Sequence, residues 1–122
     1  DPDPGWMEQS VFTIDGGYAA AERRVARVPE IEGLFCATDS IAIGAKKWLE
    51  EHGRRIPADI ALAGIGHSRL SELVCPKLAT AHYYYQASGE EAARDLLEII
   101  EQGIDRKKQL MLGFEVCPGE SV

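Results

Sequence analysis

The stretch Leu34-Phe35-Cys36-Ala37-Thr38-Asp39-Ser40-Ile41-Ala42-Ile43-Gly44-Ala45 constrains the fold of this chain more than any other. It reads as a short apolar strand, a polar turn and the first turns of a helix. Leu34, Phe35 and Cys36 form an unbroken apolar run, the pattern of a strand covered on both faces as in a parallel sheet. Thr38, Asp39 and Ser40 put side-chain oxygens where a helix start leaves backbone N–H groups without partners. Ligands of open parallel sheets bind outside the carboxyl ends of the strands, which makes Thr38 and Asp39 candidate ligand residues. The plainer alternative is that Asp39 or Ser40 only caps the helix.

The remaining pattern alternates strands and helices. Residues 11–14 read as a short strand or extended entry, closed by Asp15-Gly16-Gly17. Tyr18, Ala21, Val25 and Val28 recur at helical spacing, with Glu22, Arg23, Arg24 and Arg27 off that face. Asp15 is the expected N-cap and Pro29 the stop. A strand over 31–36 leads into a helix over 41–52, whose stripe is Ile41, Ala45, Trp48, Leu49 and His52, with Lys46 mostly off it and Gly53 as terminator. A strand over 60–65, a Gly66-His67-Ser68 turn and a short helix over 69–74 follow, and Pro76 breaks that helix. Residues 78–84 are extended. Ser88 with Glu91 three residues on reads as a capping box opening a helix that carries Ala92, Ala93, Leu96, Leu97, Ile99 and Ile100, and Gly103 ends it. A last strand is expected over 109–116. Three strand–helix steps in sequence predict an α/β fold with a mostly parallel sheet and flanking helices.

At 122 residues the chain has room for one core. No apolar run approaches the ~20 residues of a membrane span, so no membrane partner is expected. The start, Asp1-Pro2-Asp3-Pro4-Gly5-Trp6, is acidic, unlike a signal peptide, and lacks Met, as expected of a piece of something longer. A net charge of -7 argues against a nucleic-acid grip by this segment, and small basic groups such as Arg54-Arg55 and Arg106-Lys107-Lys108 read as solvated faces. Cys36, Cys75 and Cys117 are odd in number and share no metal spacing, so neither a metal site nor a disulfide is expected, and a reducing compartment is. No catalytic motif emerges. Gly64-Ile65-Gly66 lacks the third glycine of a dinucleotide fingerprint, and His67, although it could act as a general base, has no nucleophile paired with it. No cofactor is expected.

Four blocks carry a resemblance: CATDSIAIGA (36–45), RRIPADIALAGIG (54–66), CPKLATAHYYYQASGEEAARDLL (75–97) and QLMLGFE (109–115). Together they resemble the C-terminal part of the lactose/galactose repressor (LacI/GalR) family, from about Phe12 to the end. AHYYYQASGEEAA further resembles repressors of sucrose-type operons. The resemblance implies a DNA-binding transcriptional regulator with a two-lobed effector domain like the periplasmic sugar-binding proteins, cytoplasmic and without enzymatic activity. Residues 11–82 would be the second-lobe core, 83–108 the crossing segment and a helix that packs on the first lobe, and 109–122 the terminal strand. A small sugar would sit in the interlobe cleft.

Carried over, Phe12 falls where the family often has an aromatic against the sugar, and Thr38 and Asp39 match the polar pair of the pocket floor. Gly66 and His67 match the ligand turn, and Tyr85 matches an aromatic at the crossing. His67 stands where relatives usually keep Asp. A homodimer through the second lobe would use Ile41, Ile43, Leu70, Leu73 and Val74. Operator DNA would be bound only through an N-terminal headpiece that is absent from these residues, as is the first lobe, so the chain alone is expected to repress nothing. Cys117-Pro118-Gly119 replaces a more basic tail and no heptad helix follows, so no tetramer is expected. The rival readings are a stand-alone sugar-binding receptor and a sugar-processing α/β enzyme.

Overall fold

The computed structural model describes residues 4–103 and 107–122. The expectations for Asp1 to Asp3 and for Arg106 lie outside the described residues. After a short 3-10 turn at Pro4–Trp6 come α1 (Ile14–Arg27), β1 (Gly33–Phe35), α2 (Asp39–Glu51), β2 (Ala61–Ile65), α3 (Arg69–Leu73), β3 (Ala79–Tyr83), α4 (Tyr85–Gln102) and β4 (Phe114–Cys117). The four strands form one sheet in the order β1-β2-β3-β4. The first three are parallel and β4 joins β3 antiparallel. This is the α/β, mostly parallel arrangement that the alternating pattern predicts.

Helix α2 lies on the sheet and α1 runs against α2. Their contact is close because glycine occupies both sides of it. A Cβ on Gly17 would come 2.1 Å from the Ile41 carbonyl oxygen, and one on Gly44 would come 1.9 Å from that of Ile14. The core gathers Ala21, Val25, Cys36, Ile41, Ala42, Ala45, Trp48, Leu49, Ile60, Leu62 and Leu78. Burial pushes the Cys36 thiol up to about 12, so it behaves as a small apolar side chain there.

Several local expectations are corrected. Residues 11–14 form no strand: Ile14 already belongs to α1, and the cap is Thr13, whose hydroxyl accepts from the Gly16 N–H at 2.9 Å, so Asp15 sits inside the helix. Arg24 is buried because its Nη1 donates to the Gly5 carbonyl at 2.6 Å. Lys46, also expected off the stripe, is buried and pairs with Glu50. The capping box at Ser88 is not used. Helix α4 starts at Tyr85, directly after β3, and Glu91 pairs with Arg94 instead. The last strand is shorter than 109–116, because only its end pairs with β3.

Leu34-Phe35-Cys36 is covered on one face only. Cys36 is buried, whereas Phe35 is 73% exposed, and on the same side of the sheet Phe114 and Val116 are exposed as well. No residue of α4 is buried. The tail after β4 has an unexpected role. Ser121, fully buried, donates its hydroxyl to the Leu62 carbonyl at 2.6 Å and accepts from the Ala79 N–H at 2.8 Å, so it ties β2 to β3.

Candidate functional site

The carboxyl ends of β1, β2 and β3 share one edge of the sheet, and the loops leaving them carry the polar side chains. At the end of β1, Thr38 has extended backbone angles and its hydroxyl accepts from the Ile41 N–H at 3.3 Å, which makes it the cap of α2. That oxygen keeps its own hydrogen to donate. Neither Asp39 nor Ser40 is the cap.

Asp39 turns inward and is 2% exposed. Its Oδ1 accepts from the Thr80 hydroxyl and its Oδ2 from the Ser68 N–H, both at 2.6 Å. Thr80 Oγ1 in turn accepts from the His67 N–H at 3.1 Å. One carboxylate thus joins the start of α2, the turn after β2 and the middle of β3. The glycines of Gly64-Ile65-Gly66 make room for it: a Cβ on Gly64 would come 2.7 Å from Asp39 Oδ1, and one on Gly66 3.4 Å from Oδ2. Gly66 also has a φ of +131°, a region closed to most side chains. The short Gly-Ile-Gly run thus leaves space for this carboxylate.

His67 follows with a φ of +49°, and Nε2 stands 3.4 Å from Glu72 Oε1. Its ring meets that of His82 edge to face at 5.5 Å between centroids. His82 also meets Tyr84 at 5.7 Å and Tyr85 at 6.3 Å, and Tyr85 meets Tyr83 at 6.0 Å. The rings therefore form a row from the Gly66-His67-Ser68 turn to the start of α4. The Nδ1 atoms of His67 and His82 are shielded from solvent and have no hydrogen-bond partner among the described residues. Next to this row lies a shallow groove of about 300 Å³ lined by Tyr83, Tyr84, Tyr85, Ser88, Leu110, Leu112 and Gly113. Neither Thr38 nor His67 lines it, whereas Tyr85 does.

The structure brings Asp39, Gly66, His67 and Tyr85 to one edge, with Thr38 beside them. Phe12 precedes the cap of α1, and Gly17 against Ile41 sets the start of α1 beside that of α2, so exposed Phe12 is near the same end. Thr80 and His82 were missed. They share a face with Leu78 by strand alternation, which is the signal that could have found them. Of the expected dimer residues, Leu70 and Leu73 are exposed and Ile43 is half-buried. Ile41 belongs to the core and Val74 packs against it, because the stripe of α2 that carries Ile41 is the one that meets the sheet.

Residues 1–122 match the family described as periplasmic binding protein-like domain. The HTH-type transcriptional regulator CelR of Thermobifida fusca is 30% identical over 110 residues, which are 90% of this chain and 32% of that protein. A solved structure of a CelR–cellobiose complex superposes with a TM-score of 0.94 at 28% identity, covering 100% of this chain and 37% of that one. A LacI-family regulator from Arthrobacter sp. FB24 in complex with lactose superposes with a TM-score of 0.81 at 27% identity, covering 92% of this chain and 42% of that one. The chain thus spans about a third of the length of the curated relatives it matches. It belongs to the periplasmic-binding-protein-like family, and the relatives it matches are transcriptional regulators of the LacI type.

Proposed function

We infer that residues 1–122 are the greater part of one lobe of the effector-binding domain of a sugar-responsive transcriptional regulator. The observation that carries this reading is the polar edge at the ends of β1 to β3, held by Asp39, in a fold that superposes on a cellobiose-bound regulator. Sugar hydroxyls call for side chains that donate and accept, which Thr38 and His67 supply. The apolar faces of the ring call for aromatics, which Phe12 and Tyr85 supply. Residues 11–82 form the lobe core, 83–108 cross to a first lobe on which α4 rests, and 109–122 return. Closing the cleft on a sugar biases the two lobes toward one arrangement and so changes operator affinity through a DNA-binding segment outside these residues.

The edge binds and releases its sugar unchanged, so the protein is a regulator in the cytoplasm and no enzyme. Its homodimer forms through the second lobe at Ile43, Leu70 and Leu73. The test is titration calorimetry of the longer regulator with cellobiose, lactose, sucrose and ribose, paired with an operator gel shift. Saturable binding that alters operator affinity is the expected result. Binding with no effect on DNA would favour a stand-alone receptor, turnover would favour a sugar-processing enzyme, and no binding would refuse the reading.

A further inference from the structure

Two departures from ordinary packing coincide at the carboxyl edge of the sheet. His67 holds a φ of +49°, a region that residues with a side chain seldom enter. Nδ1 of His67 and Nδ1 of His82 are both sealed from solvent, with no hydrogen-bond partner among the described residues. A sealed polar atom without a partner costs stability, and an apolar side chain of similar size would avoid that cost. Strain of this kind gathers where a site must hold a set geometry.

The geometry turns on β3. Thr80 and His82 are two residues apart on that strand and so share a face. Thr80 Oγ1 accepts from the backbone N–H of His67, and the His82 ring meets the His67 ring at 73°. His67 is thus fixed twice from one strand, at its backbone by Thr80 and at its ring by His82. The Gly66 N–H donates to the Ala81 carbonyl at 2.8 Å, which holds the turn to the strand next to His82. His82 also meets Tyr84 at 88° and Tyr85, the first residue of α4, at 80°. Among the described residues, His82 is the ring that meets both His67 and Tyr85.

We propose that His82 is a positioning residue that sets the effector specificity of this edge, by fixing the spacing and angle between His67 and Tyr85. It rests on the effector reading, in which His67 meets the sugar hydroxyls and Tyr85 the apolar face of the ring. His82 acts through those two rings and not on the sugar. Edge-to-face pairs prefer one mutual orientation, so each contact holds its neighbour in place. A side chain at 82 without a flat ring leaves both neighbours free to turn, and sugars of different size and shape are then told apart less well.

The experiment is titration calorimetry of the longer regulator with cellobiose, lactose, sucrose and ribose, on the parent and on His82→Ala, His82→Leu and His82→Phe, with a thermal melt of each. The quantity read is the spread of affinities across the four sugars. His82→Ala and His82→Leu should each narrow it by roughly tenfold or more. Where His82→Ala does not fold, His82→Leu carries the comparison. His82→Phe, which keeps a flat ring for both neighbours and loses the ring nitrogens, should keep the parent's spread. A role in folding alone would lower the melting temperature and leave the spread unchanged, and that result overturns the proposal. So does a loss of spread in His82→Phe as large as in His82→Leu, since His82 would then be bonding the sugar itself. A parent that binds none of the four sugars overturns the effector reading, and this inference falls with it. A parent that binds them while the His82 variants keep its spread overturns this inference alone.

Discussion

Thr80 in the middle of β3 donates its hydroxyl to Asp39 at the start of α2, across 41 residues of sequence and 2.6 Å of space. Both residues are buried. The carboxylate that sequence reasoning offered as a ligand residue or a helix cap holds the His67 turn through Thr80 and Ser68.

Asp39→Ala is therefore expected to destabilise the protein by roughly 1.5–3 kcal/mol or more, the scale of hydrogen bonds to a buried charge. Asp39→Asn, which keeps one acceptor, should lose less. Urea unfolding gives the stability and calorimetry the sugar affinity. Unchanged stability with abolished sugar binding would place Asp39 on the ligand after all.

Gly44 and Gly89 are both helical glycines, and alanine should act on them with opposite sign. Alanine favours a helix by about 0.8–1.0 kcal/mol over glycine. At Gly89 nothing lies within 4 Å of an added Cβ, so Gly89→Ala should raise the melting temperature. At Gly44 the added carbon meets the Ile14 carbonyl oxygen, and α1 must move. Gly44→Ala should cost about 1–3 kcal/mol net. Thermal melts of the two variants side by side check this.

Leu70 and Leu73 point outward from α3, and Leu73 is 70% exposed. In the longer regulator, Leu70→Glu with Leu73→Glu should give a folded monomer by sedimentation, with operator affinity reduced and sugar affinity kept. A dimer that survives the change would remove α3 from the interface.

Asp59 is gripped by Arg55. The guanidinium donates to both carboxylate oxygens, the Arg55 N–H adds a third bond at 2.8 Å, and together they hold the carboxyl well below the usual carboxylate range. A carboxylate with a depressed folded pKa adds stability above its unfolded value, about 3.9, and that contribution is lost as pH falls through the folded value. The effect is modest, since the pair is open to solvent. An NMR titration of Asp59 should show it ionised throughout the pH 4 region, and Arg55→Gln should return it toward the ordinary value.

Local chemistry made much of this protein legible. Gly53 and Gly103 end their helices with positive φ because they lack a Cβ, and the alternation of elements predicted the mostly parallel sheet. Errors came where two local signals competed. Thr13 and Asp15 are both good caps, and Thr13 won because helix α1 needs Ile14 to Gly17 to reach α2. Ser88 and Glu91 are a sound capping box, yet the chain leaving β3 was already turning at Tyr85.

The sequence by itself determined which residues could be strand, helix and turn, because those depend on neighbours a few positions away. It also determined that Thr38, Asp39 and His67 would lie near one edge, since each follows a strand of a parallel sheet. Only the tertiary structure decided what each would do there. Whether a carboxylate faces a ligand or a threonine from another strand depends on groups far away in sequence, and burial then allows it no unpaired oxygen. The same holds for Ser121, which no local pattern marks, and which is buried because β2 and β3 both need its hydroxyl.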